Sequence, residues 1–156
     1  MKVMFLHGLE SSPTSTKATF LRQLGYEVIA PALGRSSFED SVDIAQASYD
    51  ENLPDVIVGS SRGGAVAMRL RAPGARFVLI APAWQKYGVD AKVPKSTKLI
   101  HSLDDNVIPI QHSVLLSLTL DREALTIAGE SHRMMDADAL EAIGSAVMGV
   151  EKNERQ

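Results

Sequence analysis

Short runs that are apolar at nearly every position alternate along the chain with longer stretches in which apolar residues recur every three or four positions. The runs fall at Val3–Leu6, Glu27–Ala30, Val56–Val58, Arg76–Ala81, Thr97–His101 and Ala124–Ala128. Such short, nearly unbroken runs are expected of strands covered on both faces. Helical spacing fills the intervals. Ser12 and Pro13 open a first helix in which Ala18, Leu21 and Leu24 share a face, and Gly25 closes it. Val42, Ile44, Ala45 and Tyr49 mark a second, ended by Pro54 at the latest. Gly64–Leu70 is a third, and Ile110–Leu118, just after Pro109, a fourth. The fifth runs from about Ala137 to Gly149, with Leu140, Ile143 and Val147 on one stripe.

Strands that alternate with helices in this way imply right-handed βαβ crossovers. The expected fold is α/β: a three-layer, doubly wound, mostly parallel sheet of about six strands with helices on both faces. At 156 residues the chain has room for one domain, expected over 1–150, with a polar tail over 151–156 that frays. No repeat, linker or low-complexity segment divides it.

Composition narrows the function. Sixteen basic residues against 19 acidic leave a net charge of −3, without the basic stripe or interleaved aromatics of a nucleic-acid surface. The chain has no cysteine, so disulfides, thiolate metal sites and cysteine nucleophiles are excluded. The longest apolar run, Phe77–Trp84, is interrupted by Pro82 and falls far short of the roughly 20 residues a membrane span needs. The N-terminus does not read as a secretory signal, and a cytoplasmic location is expected. Gly8 and Lys17 supply a glycine and a lysine but no P-loop, whose second glycine is missing.

In an open parallel sheet, ligands sit beyond the carboxyl ends of the strands. After the third run stands Gly59-Ser60-Ser61-Arg62-Gly63, followed by Gly64. This is G-x-S-x-G at a strand-to-helix junction. A serine at the apex of so tight a turn has strained backbone angles, and glycines on either side remove the clashes. With Ser60 as the apex the glycines would be out of frame. The turn would expose the Ser61 hydroxyl and set the Arg62 N–H at a helix N-terminus, where an oxyanion is favoured. A serine hydroxyl needs a base. Of His7, His101, His112 and His132, only His132 both follows a strand end and comes late in the chain, in a glycine-containing loop. The base in turn needs an acid, and the loop after the fifth strand offers Asp104 and Asp105. The order Ser61, Asp, His132 is the one such an elbow calls for.

With these residues the chain resembles the α/β-hydrolase superfamily along nearly its whole length, and within it small, capless bacterial esterase-like hydrolases (YqiA-like). The likeness rests on His7-Gly8, on Ser11, Ser12, Pro13, Ser15, Lys17 and Ala18 after it, on the Ser61 elbow, and on Gly129 before His132. The family pattern His-Gly-x-x-Asp-x-x-Val-Pro, laid on His101, selects Asp105 over Asp104, with Ser102 in place of the glycine and Ile108-Pro109 in the Val-Pro places. The resemblance also implies a structural His7 and an oxyanion hole made of the Leu9 and Arg62 N–H groups. Glu10, beside that hole, is expected either to pair with Arg62 across the mouth of the site or to point to solvent with it. Only Pro82–Ser96 separates the fourth and fifth runs, too little for a lid. An open, shallow site follows, with Leu9, Trp84, Tyr87, Met134 and Met135 as candidate walls or, equally, core.

The leading expectation is a serine hydrolase for a small carboxylic ester or thioester. Ser61, His132 and Asp105 would form its triad, and it would need no metal or cofactor. The alternatives are an acyltransferase using the same triad and a non-catalytic interaction module that keeps the fold. The expected partner is a small acyl substrate, not nucleic acid or membrane. Oligomeric state is not legible.

Overall fold

All six apolar runs form strands; the four at the centre of the sheet bury both faces, and the two at its edges are partly exposed. The computed structural model describes residues 1–9, 11–35 and 37–149. Its strands are β1 (Lys2–Leu6), β2 (Glu27–Ile29), β3 (Val56–Ser60), β4 (Arg76–Ile80), β5 (Lys98–His101) and β6 (Leu125–Ile127). Among the described residues they are accompanied by α1 (Thr16–Gln23), α2 (Phe38–Asn52), α3 (Arg62–Ala67), α4 (Gln111–Ser117) and α5 (Ala137–Met148). The strands join one sheet in the order β2-β1-β3-β4-β5-β6, with every neighbouring pair parallel.

The two-residue period of a strand splits the core into two layers. Met4, Leu6, Ile57, Leu79 and Leu99 face one layer, closed by Val42, Ala45 and Tyr49 of α2, Ala65 and Val66 of α3, and Leu116 of α4. Val3, Phe5, Val58, Val78, Ile80 and Ile100 face the other, closed by Ala18 and Leu21 of α1 and Ile143 and Val147 of α5. The chain steps outward from β1 to β2, then returns across β1 to β3 and continues the other way. One crossover hand then places α1 on one face and α2, α3 and α4 on the opposite one. The reversal between β1 and β3 is the switch point at which such sheets open a crevice.

Helix boundaries depart from the expectation where local hydrogen bonds override periodicity. α1 starts at Thr16, capped by Ser15, whose Oγ accepts the Ala18 N–H at 3.4 Å. Ser12 lies in the turn before it and accepts the Thr14 N–H at 3.3 Å. α3 starts at Arg62, earlier than Gly64, because the turn at Ser61 runs straight into the helix. It stops at Ala67, after which Arg69 and Leu70 bond back only three residues. Pro82 to Thr97 carries turns and no helix, so no lid covers the carboxyl end of β4. The expected tail at 151–156 lies outside the described residues. No helix among them is long and apolar enough to cross a membrane.

Candidate active site

The turn after β3 is built by close backbone approach. Ser61 sits at φ 55°, ψ −115°, a region that costs a non-glycine residue on the order of 1–3 kcal/mol. Its surroundings over-determine that geometry. The Ser61 N–H donates to Ile80 O at 2.9 Å, and its carbonyl accepts the N–H groups of Gly64 at 3.0 Å and Ala83 at 3.0 Å. A Cβ on Gly59 would lie 2.6 Å from Gly63 O, and one on Gly64 would lie 2.8 Å from Pro82 Cβ. A Cβ on Gly63 would overlap the Leu6 carbonyl at the end of β1. The three glycines therefore let α3 start hard against β1, β3 and the strand-end turn at Pro82. Gly8 closes the other side: a Cβ there would be 3.5 Å from Ser61 Cβ.

Two loops converge on Ser61 from the far side of the sheet. His132, after β6, places Nε2 2.9 Å from Ser61 Oγ and Nδ1 2.7 Å from Asp105 Oδ2. A carboxylate only accepts, so Nδ1 carries the ring proton and Nε2 is left to accept the Ser61 hydroxyl proton. Asp105, after β5, has a fully buried side chain. Its Oδ1 accepts the N–H groups of Val107 at 2.9 Å and Ile108 at 2.8 Å. Asp104 is exposed and turned away, its N–H bonded to Ser102 Oγ at 3.1 Å. The geometry can transfer a proton from a serine hydroxyl to an imidazole whose orientation a buried carboxylate fixes.

The remaining expected site residues fall into two groups. Leu9 is 36% exposed beside the turn, and Met135 is also exposed. His7 is buried, with the Leu33 N–H donating to its Nε2 at 3.1 Å; its Nδ1–H then donates to Gly8 O at 2.8 Å, leaving no nitrogen for chemistry. Met134 and Trp84 are corrections, since both belong to the core and neither forms a wall. Met134 is fully buried in the layer that α1 and α5 close, at a backbone φ of 52°. Trp84 is buried in the opposite layer, donating its indole N–H to His112 O at 3.1 Å. Tyr87 is half-buried and stacks on Phe38 with centroids 4.8 Å apart. Arg62 points inward, not to solvent: it is 4% exposed and donates to Ser41 Oγ at 2.8 Å. Its guanidinium also lies 5.7 Å from the Phe38 ring and 5.6 Å from that of Tyr87. Glu10 lies outside the described residues, as does its expected pairing.

Several supporting residues stand in the sequence with no role attached to them. Ser102, fully buried, donates to Gly129 O at 2.8 Å and so ties the Asp105 loop to the His132 loop. Lys17 of α1, also buried, donates to Arg133 O at 2.6 Å. Burial, aided by the nearby Arg133 charge, lowers its pKa from 10.5 to about 8. Asp136 caps α5 through the Ala139 N–H at 3.2 Å and accepts the Glu130 N–H at 3.0 Å. That second bond is the main reason its carboxyl is held below its usual range. No group of three or more His, Asp or Glu side chains among the described residues is arranged to hold a metal ion.

Residues 2–89 match the model of a family described as "Uncharacterised protein family (UPF0227)". No curated protein matches the chain. Solved structures share its fold at low identity. A predicted CIB-like hydrolase from Thermoplasma acidophilum is 21% identical with a TM-score of 0.74, over 94% of this chain and 84% of that one. A putative hydrolase from Agrobacterium vitis S4 is 18% identical with a TM-score of 0.72, over 96% and 88%. A Xanthomonas campestris protein described as an a/b serine hydrolase without lid is 19% identical with a TM-score of 0.71, over 96% and 80%. The architecture is that of a lidless α/β-hydrolase fold.

Proposed function

The chain belongs to the UPF0227 family, and on its α/β-hydrolase fold we propose that it is a serine hydrolase of small carboxylic esters or thioesters. The observation that carries this reading is the unbroken relay from Ser61 Oγ through His132 to Asp105, at 2.9 and 2.7 Å. Ser61 attacks the acyl carbonyl as His132 Nε2 takes its proton. Asp105 holds the Nδ1–H tautomer and stabilises the imidazolium that forms. Negative charge on the carbonyl oxygen is met by the N–H groups of Leu9 and Arg62. His132 then returns the proton to the leaving alkoxide or thiolate, and water, activated by the same nitrogen, releases the acid from Ser61. The absence of a lid suits a small or exposed acyl group.

A fluorophosphonate probe tests this without a known substrate. We expect one adduct per chain by intact mass, none in Ser61→Ala, and labelling slowed by orders of magnitude in His132→Ala and Asp105→Asn, because triad members act as a unit. Asp104→Asn labels like the parent. A folded protein that takes no adduct would falsify the hydrolase reading.

A further inference from the structure

Asp105 Oδ2 faces a second histidine. His101, the last residue of β5, is fully buried, and its Nε2 lies 2.8 Å from Ile108 O and 3.2 Å from Asp105 Oδ2. Both of those atoms only accept, so Nε2 carries the proton. Nδ1 is then the acceptor, and 2.7 Å away is the hydroxyl of Ser113, fully buried on α4, which donates to it. The two histidines thus use opposite tautomers: His132 gives its Nδ1–H to Asp105 Oδ2, while His101 gives its Nε2–H to Ile108 O and brings the same N–H within 3.2 Å of Oδ2. With the Val107 and Ile108 amides on Oδ1, three donors bond the carboxylate, and the His101 N–H edge stands against it as a fourth neighbour.

From this we infer that His101 and Ser113 are positioning residues of the relay, extending it to Ser61–His132–Asp105–His101–Ser113. Their role is to fix the direction of Asp105 and to draw charge from the oxygen that meets His132. The inference rests on the hydrolase reading for its kinetic consequence but not for its geometry. A merely structural His101 would support the loop without tuning His132. A positioning one has a signed effect: removing its N–H concentrates charge on Oδ2, strengthens the pull on the His132 proton and makes His132 more basic. The titratable groups facing His101 are Asp105 and His132. Burial keeps His101 itself below its usual pKa, which favours a neutral ring.

The test is the pH dependence of fluorophosphonate labelling in the full-length protein, beside the downfield NMR resonance of the His132–Asp105 proton. In His101→Phe the labelling inflection should move to higher pH and the plateau rate should fall about tenfold, the scale of one hydrogen bond to a charged group. His101→Gln, which can restore an N–H near the Nε2 position, should return both towards the parent. Ser113→Ala should move the inflection in the same direction by less. A folded His101→Phe with an unmoved inflection overturns the inference, whatever its rate. Should that variant not fold, Ser113→Ala decides on the same criterion. If wild type itself takes no label, the hydrolase reading fails. The NMR resonance then decides alone: a shift between wild type and His101→Phe, or Ser113→Ala should that variant not fold, upholds the relay, and no shift overturns it.

Discussion

The turn that presents Ser61 and the loops that present His132 and Asp105 reach the same point by different physics. The turn is held by backbone contacts with no room for a side chain: glycines pressed on Leu6, Gly63 and Pro82, and a Ser61 carbonyl with several amide donors. The loops are held by side chains bonded to backbone: Ser102 to Gly129, Lys17 to Arg133, Asp138 and Asp136 to the amides of Gly129 and Glu130. Close packing resists small changes steeply, whereas a single neutral hydrogen bond contributes only about 0.5–1.5 kcal/mol. The nucleophile therefore sits on the stiff side of the site and its base on the adjustable side.

Gly63→Ala attacks the stiff side and has the largest expected effect. The new Cβ overlaps the Leu6 carbonyl, and β1 cannot retreat because it is hydrogen-bonded to both β2 and β3. A loss of about 3 kcal/mol or more is expected, with labelling of Ser61 abolished. Gly144→Ala in α5 is its control: the added Cβ would meet Leu24 and Phe20 at 3.5 Å, ordinary contact. Helix propensity should then raise stability by up to about 1 kcal/mol. Urea titration of both variants checks the pair; equal losses would remove the distinction between the two regions.

Lys17→Met probes the adjustable side. Burial favours the uncharged amine, so native Lys17 releases its proton near pH 8 while the unfolded chain holds it to about 10.5. Between those values the unfolded state binds more protons, and stability rises with pH. From pH 7.5 to 9.5, wild type should gain about 2 kcal/mol relative to Lys17→Met, in which that dependence is gone. Parallel denaturation curves at the two pH values would show that Lys17 is not desolvated.

The same division decides how much was legible in the sequence. The elbow could be read because its requirement is local: glycines at fixed offsets around a serine, between an apolar run and a helix. The strands and their parallel pairing followed from periodicity, and the lidless β4–β5 link from the short stretch between the fourth and fifth runs, whereas the strand order is seen only in the structure. His132 was reached from its position after the last strand and late in the chain. Asp104 and Asp105 are adjacent in one loop, and only a family pattern separated them. What turns Asp105 inward is the pair of amides from Val107 and Ile108, a property of loop conformation rather than residue type. Met134 misled for the same reason: in an exposed loop, at a positive φ, it is buried in the core. His101 and Ser113 stand twelve residues apart with no pattern linking them, and β5 and α4 bring them together only in three dimensions.

Ser102→Ala is the smallest expected effect and the sharpest test of whether the two loops move as one. It removes a side-chain bond that joins them beside the His132–Asp105 contact itself, leaving the Gly129 carbonyl and the Asp104 amide without that partner. About 1 kcal/mol is at stake, which in a chain of this size lowers the unfolding midpoint by about 2–4 °C. The related His-Gly-x-x-Asp pattern has glycine at this position, so the loops can be aligned without a hydroxyl, and Ser61 labelling should slow by only a few-fold. A midpoint that falls while labelling holds would mean that His132 and Asp105 keep each other in place through their own 2.7 Å bond. Labelling that collapses with little change in midpoint would make Ser102, and not that bond, what aligns the base with its acid.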